Sequence, residues 1–536
     1  MPDSQSSAQR IDLLRGASVF EPPHKWLVAI AVMLGATLEI LDSSIVNVSL
    51  PHMQGTFSAS VDQIAWVLTS YLVAAGIMIP MTGWISSRFG RKRYFLTSMT
   101  GFVIASVMCG AAQSLTQLVV FRLLQGFAGA AMIPSSQAIL METFPPNEQQ
   151  MAMAVWGIGL QLAPIAGPTL GGWITDNLNW RWNFYINVPV GIIALVMASA
   201  FLHDPPYLRQ KRSGRGVDWP GMILLMVGIA LLEIVVDRGQ RSEWFAAQWV
   251  RYFTLGSIAA LVLMSIRELR FPEPIIDLRI LAIRDFLIMV VLGTVNIGAL
   301  YIVNLINPLF LQELMGYTAW KAGLLMVPRA VGTLSGMLII GQLGRKNYDT
   351  RPFLGLGFLI IALGFYYATG WDLQVDRWGV AWVTMIQGFG MGVVFPIMSS
   401  TALACVSRER MGYAASMYNM IRNIGASISL SAATDVLVSH EQIHQSRLVE
   451  HFSVFDAWKM GQQMPRMPGA PTFQFVPEIV THQYHALGQV YATIQTQAAM
   501  LAFNDIYRLL AFAMLAMAPW FLLLGKRRSS DAPAGH

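Results

Sequence analysis

Apolar residues in this chain gather into long blocks, each of about the ~20 residues that an α-helix needs to cross the hydrocarbon core of a bilayer. Such blocks occupy about 26–50, 64–86, 94–113, 116–139, 150–173, 182–202 and 219–236, then 249–267, 286–309, 320–343, 352–369, 378–404, 411–438 and 505–524. Read as helices they make fourteen crossings, and an even number returns both termini to one side. The expected fold class is an all-α polytopic membrane protein. The first 24 residues are polar, with Asp3, Arg10, Asp12, Arg15 and Glu21, and the first block holds Glu39 and Asp42. A cleavable signal peptide has a short apolar centre that would not tolerate those two acids, so this block is expected to stay as segment 1.

Composition agrees with a lipid setting. Of 536 residues 54% are hydrophobic and 12% charged, with a mean hydropathy of +0.50. That leaves too few polar side chains to coat a water-soluble particle of this size, which excludes a soluble enzyme. The formal charge of +6 would suit nucleic acid if the basic residues formed a patch, but they sit at segment ends. Twenty-three Lys and Arg fall on the side of the N-terminus and nine on the other, and cytoplasmic loops are the ones enriched in them. Both termini are therefore expected in the cytoplasm, and no nucleic-acid partner is expected. The joint 141–149 departs from this pattern, with Glu142 and Glu148 and no basic residue. Cys109 and Cys405 fall inside apolar runs, so neither a disulfide framework nor a metal site is expected.

The chain repeats itself. Gln125-Gly126-Phe127 followed by Pro134 returns as Gln387-Gly388-Phe389 followed by Pro396, at an offset of 262. Trp66 with Gly90-Arg91-Lys92 returns as Trp320 with Gly344-Arg345-Lys346 at 254, and Met151-Ala152 as Met411-Gly412 at 260. Segments 1–6 thus correspond to segments 9–14, with segments 7 and 8 inserted. The expected organisation is a cytoplasmic tail (1–25), a six-helix bundle (26–203), a linker with the inserted pair (204–280), a second six-helix bundle (281–525) and a cytoplasmic tail (526–536). Within the second bundle, 439–503 forms a long outer segment with Pro465, Pro468, Pro471 and Pro477 in its middle and helical composition on its flanks. Duplicated bundles suit a transporter whose halves rock about a central site.

A charge at the centre of a membrane helix costs ~2.5–3.5 kcal/mol on insertion scales, so each one requires a reason. Glu39 and Asp42 share a face of segment 1, and apolar sequence continues beyond Asp42, which argues against a helix end dipping into water. A carboxyl in low dielectric beside a movable cation can load and release a proton, as a proton-coupled carrier requires. Arg122, Arg329 and Arg422 are the intramembrane cations. Arg122 would be costly without a carboxylate, and Asp42 in the same half is its expected partner. Such a pair serves either as a protonation switch or as a static brace. Glu233 and Arg508 are open to either a structural or a functional reading. Segment 5 carries Gly157, Gly159, Pro164, Gly167, Pro168, Gly171 and Gly172, expected as a kinked, close-packed interface between the halves or as a generic packing face. Candidates to line a central substrate cavity are Gln125, Asn296, Asn304, Asn307, Gln387, Asn419 and Arg422.

In order along the chain, these pieces resemble a known family. Leu41-Asp42-Ser43-Ser44 through Pro51, Gly83-Trp84-Ile85-Ser86-Ser87-Arg88-Phe89-Gly90-Arg91-Lys92-Arg93, Arg122-Leu123-Leu124-Gln125-Gly126, Gly167 to Gly172 and Trp180 to Pro189 resemble the motifs of the major facilitator superfamily, specifically its fourteen-helix drug:proton antiporters of the EmrB/QacA type. The resemblance implies proton coupling through Asp42, Glu39 and Arg122. It implies a gating loop of Gly83, Ser87, Arg88, Gly90, Arg91 and Lys92, and an antiporter motif of Pro164, Gly167, Pro168, Gly171 and Gly172. The family usually places an Asp where Ser87 stands, so the latch that Asp supplies is expected to rest here on hydrogen bonds to Arg88 or Arg91. The long outer segment is similar to the Gram-negative EmrB-like branch. That implies a bacterial inner-membrane pump working with a periplasmic membrane-fusion adaptor and an outer-membrane channel, exporting lipophilic small molecules and driven by the proton gradient with no cofactor. An uptake or export carrier for one specific solute could use the same fold. A membrane-embedded enzyme is less well supported, since His440, His444, His451, His482 and His485 all lie in the outer segment, and no Gly-x-x-x-x-Gly-Lys phosphate loop occurs.

Overall fold

The structure, a computed structural model, describes residues 24–204, 218–271, 274–346, 348–450 and 478–525. Among the described residues thirteen helices are long and apolar enough to cross a membrane. The first half contributes α1 (Lys25–Phe57), α2 (Asp62–Phe89), α3 (Arg91–Ala111), α4 (Leu115–Thr143), α5 (Gln149–Asn177) and α6 (Trp182–Phe201). Then come α7 (Trp219–Arg238), α8 (Gln248–Arg270), α9 (Arg284–Leu314), α10 (Trp320–Arg345), α11 (Arg351–Ala368) and α12 (Arg377–Ala404). A fourteenth, α13 (Met411–Glu450), is long enough but too polar on average, because it runs through the interior and buries Asn419 and Arg422 against protein. The last, α14 (Glu478–Met517), holds the remaining apolar span, Val490–Leu523. The flanks of the outer segment thus continue α13 and α14 as single helices; its proline-rich middle, 451–477, lies outside the described residues.

Local chemistry starts and stops these helices where the sequence supplies it. Ser114 caps α4 by accepting the Gln117 N–H, Asp218 caps α7 by accepting that of Gly221, and Asp376 caps α12 at Gly379. Gly90, at φ +91°, turns the chain from α2 into α3 in a conformation that disfavours a Cβ.

α1 packs on α5 and α6, and α4 on α2 and α3; in the second half α12 packs on α10 and α11, and α13 on α9 and α14. α7 and α8 lie against each other, with α7 seated against both α2 and α13 at the seam between the halves. Ion pairs and hydrogen bonds mark one face of the bundle: Lys25–Glu148 at 2.7 Å, Gln150 to Thr350 at 2.8 Å, and Arg351 to the Leu524 carbonyl at 3.2 Å. This termini face gathers the start of α1 and the stretch around Leu524 that follows α14; the hairpin face, where α13 and α14 extend, is opposite.

The halves close on the termini face. A Cβ at Gly83 would lie 2.7 Å from the Gly412 carbonyl oxygen, so α2 and α13 touch backbone to backbone there. Asn419 donates to Gln137 at 2.6 Å from α13 to α4, and Trp156 of α5 stacks on Phe395 of α12. Residues 149–157 of α5 are nearly all buried, whereas Leu162, Pro168, Thr169 and Leu170 further along are exposed. The partner helix α10 shows the same gradient: between 321 and 330 only Ala322 is buried. The contact between halves is therefore tight at the termini face and parts towards the hairpin face.

Candidate functional site

Asp42 lies near the middle of α1, 0% exposed. Its carboxylate accepts three hydrogen bonds: Oδ2 from Arg122 Nη1 at 2.6 Å, and Oδ1 from Gln125 Nε2 at 3.0 Å and from Asn187 Nδ2 at 2.6 Å. Arg122 and Gln125 are one turn apart on α4 and present their head groups together. Arg122 also donates from Nε to the Val67 carbonyl at 3.1 Å and from Nη1 to Gln125 Oε1 at 2.8 Å, and its guanidinium sits 4.2 Å from the centroid of the Tyr71 ring. Asn187 donates to Ser106 Oγ at 2.9 Å, and that hydroxyl donates to the Phe184 carbonyl at 2.8 Å. A plug of Val46, Met53, Ile64, Val67, Cys109, Leu118, Trp180 and Phe184 packs over the site on its hairpin side. A charge pair so thoroughly desolvated is tolerated because both carboxylate oxygens accept hydrogen bonds and the guanidinium donates from Nε and Nη1; removal of one member leaves an uncompensated buried charge.

All the neighbours of the Asp42 carboxylate present donors to it. The ionised form satisfies them. A protonated carboxyl would bring its own O–H against Arg122, Gln125 and Asn187 hydrogens, so the cluster as it stands suits only the ionised acid. Glu39, one turn nearer the termini face, is buried but stands apart from Arg122, and its Oε2 has no hydrogen-bond partner.

The structure relocates several residues singled out from the sequence. Gln125 and Gln387 do not face the cleft: both are 0% exposed, Gln125 bound to Asp42 and Gln387 to the Gly364 carbonyl of α11 at 3.2 Å. Asn307 is likewise inside the second half, where Tyr507 donates to it at 2.6 Å. Asn296 is buried in α9 with Oδ1 unpartnered. Asn304 is exposed and accepts from Arg329 at 2.5 Å. Arg422 lies between the rings of Tyr418 and Phe395, and among the described residues neither it nor Arg329 has a carboxylate partner.

The antiporter motif also sits elsewhere than expected. Pro164 and Pro168 are within α5, but Gly167, Gly171 and Gly172 lie against Ser44, Ile45 and Val48 of α1, inside the first half. Their missing side chains bring α5 onto α1 immediately beyond Asp42. Gly157 is the segment 5 glycine that faces the other half, at Met337 and Phe395.

In the loop motif Ser87 does not bind Arg88 or Arg91. It donates to the Trp84 carbonyl at 2.8 Å and lies 3.2 Å from the Tyr413 hydroxyl across the seam. Arg91 pairs with Glu142, Lys92 binds Asp204 through its N–H at 2.8 Å, and Arg88 lies over the Trp84 ring. The acidic joint 141–149 thereby becomes intelligible: its two glutamates neutralise Arg91 and Lys25 on the same face. Asn187, Ser106 and Tyr413 were not singled out from the sequence, and Glu142 stood out only as an acid in a joint without basic residues. Asn187 stands in the Trp180 to Pro189 motif, which was the available signal.

Comparison with known proteins gives a consistent result. Residues 32–430 match the family model described as Major Facilitator Superfamily. The chain is 33% identical over 505 residues, covering 92% of this chain and 94% of that one, to the multidrug export protein EmrB of Escherichia coli (strain K12). It is 35% identical over 436 residues (80% and 84%) to the fatty acid resistance protein FarB of Neisseria gonorrhoeae. Among solved structures, the human organic anion transporter MFSD10 aligns over 92% of this chain and 100% of that one, with a TM-score of 0.57 at 14% identity, a likeness of fold alone.

Proposed function

Since this chain belongs to the major facilitator superfamily and to its EmrB-like drug:proton antiporters, a multi-pass transporter of small molecules rather than an enzyme, we propose that it exports lipophilic and amphipathic compounds from the cytoplasm across the bacterial inner membrane in exchange for protons taken up through Asp42. The observation that carries this reading is the Asp42 cluster: a single carboxylate, fully buried, held by three donors of which one is the Arg122 cation.

The chemistry follows from that geometry. When a proton binds Asp42, Arg122 loses its counter-charge in low dielectric, and the new O–H meets donor hydrogens while the carboxyl accepts more weakly from the two amides. The cluster then holds α1 and α4 together poorly. Asn187 Oδ1 has no partner, so a half-turn of that amide offers an acceptor to the new O–H. Because α1 lies on the glycine face of α5, and α5 meets α10 and α12 across the seam, a shift of α1 reaches the contact between halves. Proton loading from the outside thus favours parting of the termini face, where cargo binds and the proton leaves. A membrane potential of ~100 mV is worth about 2.3 kcal/mol per charge. A gradient of ~1 pH unit adds about 1.4 kcal/mol, so one proton sustains a gradient of a few hundredfold for a neutral compound.

The basic residues at the termini face favour assigning it to the cytoplasm. At 1.5 Å per residue, the 40 residues of α13 span ~60 Å, about twice a bilayer core. The overhang supports docking of a periplasmic adaptor that leads on to an outer-membrane channel.

Everted vesicles from cells carrying wild type or Asp42→Asn test the reading. Acidifying the lumen should drive accumulation of a lipophilic dye in the first and leave the second at background. Undiminished accumulation in Asp42→Asn would remove Asp42 from coupling, and pH-driven loss of dye from the vesicles would favour an uptake carrier.

A further inference from the structure

Far from Asp42, α13 and α14 bring three ligand-type side chains together as the two helices run towards the hairpin face. We propose that His440, His444 and Asp505 form a binding site for a divalent transition metal of the zinc class, which clamps α13 to α14 at the root of their extension.

His440 and His444 are four residues apart on α13 and therefore share a face, the spacing by which one helix offers two imidazoles to one ion. Asp505 faces them from α14. His440 Nδ1 lies 2.8 Å and His444 Nε2 2.7 Å from the same atom, Asp505 Oδ2. The three ligand atoms all fall within 4.8 Å of one another. Zinc–nitrogen and zinc–oxygen bonds of about 2.0–2.2 Å in a tetrahedron hold ligand atoms about 3.4 Å apart, so Asp505 Oδ2 need draw back from each ring nitrogen by less than about 1 Å to admit the ion. Two imidazoles and one carboxylate form a borderline nitrogen/oxygen set that suits zinc and leaves a fourth position for water. Water reaches it, since the His440 side chain is 41% exposed and those of His444 and Asp505 are 18% and 19% exposed.

Arg508 is a cation beside the site, donating to the other carboxylate oxygen, Oδ1, at 3.1 Å. It orients the carboxylate while leaving Oδ2 to the metal. Its side chain is 58% exposed, so it can turn into solvent when a dication adds positive charge. A clamp here joins the helices that lead to 451–477, and fixes the angle at which the whole extension leaves the bundle.

The test uses the full chain, purified in detergent without a histidine tag, with cobalt(II) as a coloured stand-in for zinc. One equivalent should develop the visible absorption of tetrahedral cobalt and lose it when zinc is added. His440→Ala and His444→Ala should each weaken cobalt binding at least tenfold. Zinc should raise the melting temperature of the wild type and leave that of the double variant unchanged. Independently of any variant, zinc should shield His440 and His444 in the wild type from carbethoxylation by diethyl pyrocarbonate while the exposed His52 reacts equally with and without it. Absence of the tetrahedral spectrum, its survival in the double variant, or equal modification of the two histidines with and without zinc would each overturn the proposal.

Discussion

The two halves of this molecule are built alike, yet among the described residues only the first buries a carboxylate–guanidinium pair at its centre. Gln125 of α4 has its counterpart in Gln387 of α12 at the repeat offset of 262, and the same offset puts Thr384 where Arg122 stands. At the offset of 254, shared by the loop motifs, Asn296 of α9 takes the place of Asp42. All three are buried, Thr384 with its hydroxyl turned back to its own helix and Asn296 with an amide oxygen unpartnered. A neutral triad therefore packs the second half adequately. Packing does not demand a buried ion pair at this place in the fold, and the pair in the first half calls for a functional reason.

This contrast can be broken or sharpened with five variants, in falling order of effect. Arg122→Ala should be the most damaging, because it strands the Asp42 charge in a dry site: a loss of about 3–5 kcal/mol is expected, read as a sharp drop in the melting temperature of the detergent-solubilised protein. The exchange Asp42→Asn with Arg122→Thr gives the first half the chemistry of the second; it should recover most of that stability and leave dye transport at background. A stable double variant that still transports would show the two halves to be equivalent. Gly83→Leu pushes a side chain into the Gly412–Tyr413 backbone and should hold the termini face open, seen as faster alkylation of a cysteine placed at Ser416. Ser87→Ala removes one hydrogen bond across that seam and should shift the same labelling by about fivefold, for about 1 kcal/mol. Asn296→Ala, the second-half control, should change stability by no more than about 1 kcal/mol and leave coupling intact.

What could be read from the sequence followed the cost of each residue. Asp42 and Arg122 stood out because an isolated charge in lipid is expensive, and that expense also pointed each to the other. Asn187 carried no such signal, since a buried amide is cheap enough to be structural anywhere; only the fold brings it from α6 to the carboxylate. The small residues Gly167 and Gly171 announced a close approach but not which helix approaches, and α1 rather than the opposite half fills it. The partner of Ser87 was equally hidden, because Tyr413 lies 326 residues away across the seam. Helix existence was plain from apolar length, with α13 the instructive case: its polar residues lower its hydropathy because they face protein, and its extension to Glu450 leaves the membrane span altogether.

The central claim is that one acid, Asp42, exchanges a proton for cargo. Linkage makes this measurable in the purified protein as the pH dependence of affinity for a dye chosen from the vesicle assay. In the wild type, affinity should fall as the medium is acidified, approaching about tenfold per pH unit where one proton competes with one dye molecule. In Asp42→Asn the affinity should be flat with pH. A slope that survives in Asp42→Asn would contradict the assignment and send the proton elsewhere.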